Sequence, residues 1–395
     1  MEKLISAYEY GADAAYGSYK QFSLRANSRN FSIEEIKEAV SIASSMNKKF
    51  YLAVNSFIRE YELDSLRAFL EQIAKFAPDA LILSDTALIY LCRKIIPEVS
   101  LHLSTQANTM NSAAAGYWKN SGIKRIIAAR ELSLSEIKML KRKDGPEVEL
   151  FIHGAMCMAV SGRCLISDFF NHRSANRGDC SHPCRYSYGI SGEDHQNTLI
   201  LEEDPEKGTY IMNSRDLCTI DIIPDIIQTG ADSLKIEGRM KSTHYLATAV
   251  KVYREAVDSF CRDPENYKPD PLWKEELLKV SVRSYTTGFY TGKKENRQTM
   301  DFSSKRPVWQ PAAVVRQRLK DGHTLLEAKN RLSSGETVEL FASEKGVSVK
   351  SFEMPEMRTV ENETVETVHA NTVFKTMIPC RASKGNLIRK KSVTK

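Results

Sequence analysis

Short, β-branched apolar runs alternate with helical patterns from the N-terminus to about residue 260, and this alternation constrains the fold more than any other feature. The runs begin near residues 13, 48, 79, 99, 123, 148 and 232. Helical stretches such as SIEEIKEAVSIASSM and LDSLRAFLEQIAKFA lie between them. The runs are nearly continuous in apolar character, as expected of parallel strands buried on both faces. Regular βα alternation of this length predicts a TIM-like (β/α)8 barrel, with a doubly wound open sheet as the alternative. A barrel takes eight strands, and the sequence shows seven. The chain opens directly on the helical EKLISAYEYGAD, so the first strand of the barrel is missing from it. Either that strand lies upstream, or the barrel is open at one seam, where an exposed edge favours aggregation. Ser133 three residues before Glu136 has the spacing of a capping box. RDLCTIDIIPDIIQTG (215–230) reads as a helix ending at a glycine.

The texture changes after residue 262. We expect a TIM-like barrel over 1–262 with a Cys-rich insertion at 154–190, a partly helical connection over 263–305, and a small all-β barrel over 306–395. In the last part five or six alternating runs, from PAAVVRQRL to VFKTMI, are separated by turn signals such as KDG and SSG. The tail RASKGNLIRKKSVTK is basic and is expected to fray, although Arg389, Lys390 and Lys391 offer a phosphate-binding alternative. No apolar run approaches the roughly 18 residues of a membrane span. The N-terminus lacks an apolar export core. A cytoplasmic protein is therefore expected, in a compartment where thiols stay reduced. The net charge of +6 permits a polyanionic partner without demanding one.

Against that background, four of the eight cysteines fall in one short stretch, with spacing Cys157-x6-Cys164-x15-Cys180-x3-Cys184. Four thiolates in a loop-rich segment can ligate zinc or hold an iron–sulfur cluster. Only one pair is closely spaced, whereas zinc ribbons favour two short knuckles, so the spacing leans toward iron–sulfur. The segment leaves the C-terminal end of a strand, which is where barrels of this class carry their active sites. Cys218 is an alternative ligand, read here on a helix. Cys92, Cys261 and Cys380 are given no role. His172 and His182 lie among the cysteines as candidate supporting donors, and His153 is read as structural.

A second constellation, SLKIEGRMKS, places Lys235, Glu237, Arg239 and Lys241 just past an apolar strand. A lysine, an acid and an arginine at a strand end are candidates for chemistry, and Arg offers a planar fork for carboxylate or phosphate. Lys235, Glu237 and Arg239 are the candidate catalytic residues. Arg25, Asn55, Gln106, Arg130 and Lys241 are the candidate substrate-binding residues, converging on a pocket for a polar, anionic small molecule. The competing reading is a surface salt-bridge network.

ELFIHGAMCMAVSGRCLIS, NRGDCSHPCRY, MNSRDLCTI and DSLKIEGRMKSTHYLATAVKVYREAVD together resemble the collagenase-like peptidases of family U32. YGADAAYGSYKQFSLRANSRNFSIEEI and LHLSTQANTMNS resemble its bacterial branch that makes 5-hydroxyuridine at the tRNA wobble position, dependent on prephenate. The resemblance implies a [4Fe-4S] cluster held by Cys157, Cys164, Cys180 and Cys184, with zinc as the weaker alternative. It also implies prephenate, or a similar small dicarboxylate, as co-substrate and a tRNA anticodon loop as partner. Relatives begin with a strand of the type PELLAPAG that this chain lacks. No G-x-S-x-G or H-E-x-x-H motif supports proteolysis. A peptidase and a non-catalytic Fe–S or RNA-binding protein are therefore the alternatives to a tRNA hydroxylase.

Overall fold

The computed structural model describes residues 1–24, 29–185, 214–292, 307–344 and 349–392. Contacts divide the chain into two units, each discontinuous in sequence. The first comprises Met1, Asp13–Met240 and Arg283–Lys305; the second comprises Glu2–Ala12, Lys241–Val282 and Arg306–Lys395.

The first unit is built on a mostly parallel sheet in a TIM-like arrangement. Strands β1 (Ala14–Ser18), β2 (Lys49–Val54), β3 (Ala80–Leu83), β4 (Ser100–Leu103), β5 (Arg125–Ile127) and β6 (Glu147–Ala155) pair in sequence order, all parallel. β7 (Asp216–Cys218) runs antiparallel to the end of β6, while β8 (Ser233–Ile236) pairs with β6 in parallel. The short β9 (Tyr285–Thr286) extends β7. All seven expected strands are therefore present. Every residue of β3 and most of β6 are buried, which accounts for their unbroken apolar sequence. Side-chain caps start the intervening helices. Ser32 and Ser133 form capping boxes with Glu35 and Glu136, and Asp85 accepts from the Ala87 amide.

The segment 215–230 differs from the expected helix. Its first residues form β7, and only Ile223–Ile227 is α-helical, with Pro224 in its first turn. β6 is longer than its neighbours and continues past them, so its last backbone groups need a partner that a helix would not supply. β7 provides that partner, and the Thr219 hydroxyl donates to Ile152 O at 3.1 Å. Among the described residues no backbone ladder joins β1 to β8, so the curled sheet stays open between them.

The second unit holds the helices Glu2–Glu9, Thr243–Arg262 and Pro271–Val280 and a curled antiparallel sheet. Strands β10 (Trp309–Arg318), β11 (Thr324–Ala328), β12 (Leu332–Ser333), β13 (Thr337–Phe341), β14 (Val349–Glu353) and β15 (Met357–Arg358) precede four more. These are β16 (Thr364–Val365), β17 (Thr367–Val368), β18 (Val373–Thr376) and β19 (Leu387–Lys391). Eight of them order as β14-β13-β19-β10-β11-β18-β15-β16, around a core that includes Val315, Leu326, Phe374 and Ile388. The basic tail does not fray up to Ser392. β19 lies between β13 and β10, and Arg389 is wholly buried. Its guanidinium pairs with Glu276 at 2.6 Å and Glu339 at 2.7 Å, which is what allows a charge inside this core. Lys390 pairs with Glu336. Among the described residues no helix is long and apolar enough to cross a membrane.

Candidate functional site

The cysteine segment begins in the last residues of β6, at Gly154. Its φ is +118°, and a Cβ there would lie 2.5 Å from Glu237 O, so only glycine lets β6 pass the exit of β8. The chain then folds through three short turns and one helix, Ile166–Asn171. Side chains fasten this segment to the loops that follow the other strands. The left-handed Ser161 is buried. Its amide donates to Glu131 at 2.8 Å and its hydroxyl to Asn108 at 2.7 Å. Asn176 closes a reciprocal pair with the backbone of Cys164, at 3.2 and 3.1 Å. Arg177 forks onto both oxygens of Glu62, at 2.9 and 2.8 Å, and reaches Phe57 O at 3.3 Å.

The four candidate ligands all lie on this segment. The thiol of Cys184 is influenced by Cys157, Cys180 and Cys164, and that of Cys157 by Cys164 and Cys180. Although Cys157 is exposed as a residue, desolvation of its sulfur raises its pKa, and Cys164 and Cys180 add to the rise. Cys184 is pushed up to about 11, by burial first and then by Cys157, Cys180 and Cys164, against the lowering effect of Arg185. Three of the four sulfurs accept from the amide two residues on. Ile166 N lies 3.4 Å from Cys164 Sγ, His182 N lies 3.4 Å from Cys180 Sγ, and the Ala159 amide serves Cys157. Such donors stabilise thiolates and the sulfurs of iron–sulfur sites. Among the described residues no three His, Cys, Asp or Glu side chains form a ready-made metal site. The donor chemistry therefore fits a soft metal centre, while the sulfurs are not preset in a coordination shell.

The second constellation lies at the open seam. Tyr16 Oη on β1 donates to Glu237 at 2.8 Å, and the Arg239 guanidinium donates to the Ser18 hydroxyl. The Arg239 amide bonds the other Glu237 oxygen at 3.2 Å. Lys235 Nζ lies 4.4 Å over the Tyr16 ring and donates to Glu149 at 2.9 Å. Side chains thus bridge β1 and β8 where no backbone ladder does. Glu149 is buried. Burial alone would raise its pKa, but Lys235, Ser233 and Arg125 prevail and hold it at about 2. His102 is driven the other way, to about 3, by burial and by Arg125, and is therefore neutral.

The remaining candidates are dispersed. The Arg130 guanidinium lies 3.9 Å over Phe151 and donates to Ala155 O at 3.2 Å. Gln106 sits beside Gly162 of the cysteine segment, and its buried Oε1 accepts no hydrogen bond among the described residues. Asn55 Oδ1 accepts from the Leu24 amide at 3.4 Å. Lys241 belongs to the second unit, with its ammonium 4.9 Å over Tyr245. Arg25 lies outside the described residues. Cys218 is on β7, not on a helix, and is buried opposite His153 of β6. His172 and His182 both adopt left-handed turns, and His182 Nδ1 lies 3.8 Å from Cys180 Sγ. Sequence reasoning missed Tyr16, Glu149, Ser161, Asn176 and the Arg177–Glu62 fork. Glu149, the one acid in the apolar run ELFIHG, was the one with a readable signal.

The family profile of peptidase family U32 matches residues 1–300. The chain belongs to that family. Among its U32 relatives, tRNA hydroxylation protein P1 of Bacillus subtilis (strain 168) is 39% identical, covering 87% of this chain and 82% of the relative. The tRNA hydroxylation protein P of Escherichia coli (strain K12) is 33% identical, over 92% of this chain and 88% of its own. A protein named collagenase, from Porphyromonas gingivalis (strain ATCC BAA-308 / W83), is 32% identical over 77% of this chain and 74% of its own. The cysteine segment and the β8 constellation both fall inside the part matched by the U32 profile.

Proposed function

We propose that this U32 member is a tRNA-modifying enzyme that hydroxylates a wobble uridine to 5-hydroxyuridine, dependent on prephenate. The likeness to tRNA hydroxylation proteins over most of both chains carries this reading. Cys157, Cys164, Cys180 and Cys184 would hold a [4Fe-4S] cluster, and a cluster so held supplies one-electron redox capacity. Replacing C5–H by C5–OH is a two-electron oxidation that needs an oxygen donor and an electron acceptor from outside the chain, and a bound cluster would supply a path for the electrons.

The chain's own residues would bind and orient. Arg239 presents its fork at the seam, where it donates to the Ser18 hydroxyl, and a planar fork of this kind suits a substrate carboxylate. Lys235 is held by Glu149 and lends the seam its field. The Glu237 carboxylate, fixed by Tyr16 and the Arg239 amide, is placed to hold or accept a proton. A wobble uridine reaches such a site only when unstacked from its loop.

The test is nucleoside mass spectrometry of tRNA from a strain deleted for this gene and for any second family member. Loss of 5-hydroxyuridine derivatives, restored by the parental gene and not by an Arg239→Ala variant, is expected. An unchanged nucleoside profile overturns the reading.

A further inference from the structure

The cysteine segment displays large apolar side chains to solvent. Phe169 is 78% exposed and Leu165 71%, and Phe170 packs edge-on against Phe169 at 5.2 Å between ring centres. Large apolar side chains exposed side by side mark an interaction surface more often than ones exposed singly. The helix carrying Phe169 packs against the turns Ala175–Arg177 and Pro183–Arg185. Arginines and aromatic rings interleave on the adjoining loops. The Arg163 guanidinium lies 5.4 Å from the Phe57 ring centre, and that of Arg177 lies 6.0 Å from the ring of Tyr61, itself 79% exposed. Glu62 neutralises Arg177, but among the described residues no carboxylate pairs with Arg163.

We propose that Phe169 and Leu165, with Arg163 two residues before Leu165 in the same segment, form a stacking platform for an unpaired base of an RNA loop. The inference rests on the tRNA reading above and assigns the surface that reading leaves open. A flat exposed ring serves any base face, and an uncompensated guanidinium nearby meets the phosphate, which is how sequence-tolerant single-strand sites are made. Leu165 directly follows Cys164.

The experiment measures fluorescence anisotropy of a fluorescein-labelled RNA hairpin with unpaired loop uridines, against a loop-free RNA duplex. It uses the full chain prepared without air. Phe169→Ala is expected to weaken hairpin binding about tenfold and to leave duplex binding unchanged, with Phe169→Tyr restoring the parental value. Arg163→Ala is expected to weaken both RNAs and to flatten the salt dependence. Unchanged far-UV circular dichroism establishes that each variant folds. Parental hairpin affinity in Phe169→Ala overturns the platform and leaves the tRNA reading intact. If that variant also loses a self-association seen by sedimentation, the face belongs to a second copy instead. A parental protein that binds neither RNA overturns the tRNA reading as well.

Discussion

Lys235 donates to Glu149 across 2.9 Å, tying β8 to β6 through side chains as well as through their backbone ladder. Both residues are nearly excluded from water. Arg125 approaches the same carboxylate at 3.3 Å, and the Ser233 hydroxyl donates to it at 2.8 Å, so Glu149 is the anion on which Lys235 and Arg125 converge. The strand-end lysine of the SLKIEGRMKS motif therefore points its charge at an internal partner.

Removing that partner leaves a buried ammonium uncompensated. Glu149→Ala should destabilise the protein by about 3–5 kcal/mol, the usual range for breaking a buried pair. The double variant Glu149→Leu with Lys235→Met should recover most of that loss. Urea denaturation followed by circular dichroism measures both. A single variant within about 1 kcal/mol of the parent would show that the pair contributes little.

The same pair sets a dependence on acid. The Glu149 carboxyl titrates at about 2 in the folded chain, below its ordinary value of 4.5. A depressed carboxyl stabilises the fold above its unfolded pKa and loses that contribution as pH falls through the folded one. The contribution is about 3 kcal/mol at neutral pH, from a difference of some 2.5 units at 1.36 kcal/mol each. The stability gap between the parent and Glu149→Gln should thus be full above about pH 5 and narrow steadily toward pH 2. A gap that stays constant across this range would remove Glu149 as the titrating group.

Arg389 invites a different experiment, because its sequence context suggests nucleic acid and its surroundings do not. It is wholly buried between Glu276 and Glu339. Arg389→Ala should cost the second unit about 3–5 kcal/mol by taking the buried guanidinium from Glu276 and Glu339, which then share Lys279. At temperatures where the variant remains folded, the slope of RNA affinity against salt should match the parent, since no phosphate contact is lost. A shallower slope would return this arginine to an RNA-binding surface.

These contrasts show what the sequence discloses. The seven parallel strands were readable because both faces are buried and the apolar runs are unbroken, as in ALIL of β3. The Ser133–Glu136 box was readable because a cap is a local event. β7 was not, because Leu217 and Cys218 owe their strand pairing to the overlong β6, which is distant in sequence. β19 was hidden for a similar reason. Arg389 and Lys390 spell a basic tail until Glu276, Glu339 and Glu336 are brought to them. The cysteine cluster was visible in the sequence as a spacing. Ser161, Asn176 and Arg177 carry ordinary surface residue types and acquire their role only from the loops they meet.

The Arg177–Glu62 fork should govern how firmly the cysteine segment is held. It is bidentate, partly shielded, and lowers the Glu62 pKa chiefly through the Arg177 bond. Arg177→Lys keeps the charge and loses the fork, a loss of about 1–2 kcal/mol for charge-assisted bonds. Hydrogen exchange over residues 157–185 should speed up about tenfold while β2 to β4 stay protected. Uniform acceleration across both regions would mean that the fork supports the whole unit, and no change would mean that other contacts, such as those of Ser161 with Glu131 and Asn108, suffice to hold the segment.

The amides aimed at sulfur give the last expectation. If the four cysteines hold a [4Fe-4S] cluster, protein reconstituted without air should be brown with about four irons per chain. Alanine at Cys157, Cys164, Cys180 or Cys184 should abolish that colour. The Ala159 amide donates to Cys157 Sγ, and Ala159 already has a φ of −82°, close to what proline imposes. Ala159→Pro therefore deletes one N–H···S bond with little change of backbone. Hydrogen bonds to sulfur are among the features that set cluster potentials, and they favour the more reduced, more negative state. A redox titration of Ala159→Pro should thus find a lower midpoint potential than the parent at unchanged iron content. Colourless parental protein carrying a single zinc would replace the cluster with a structural metal, and an unshifted potential would show that this amide does not act on the centre.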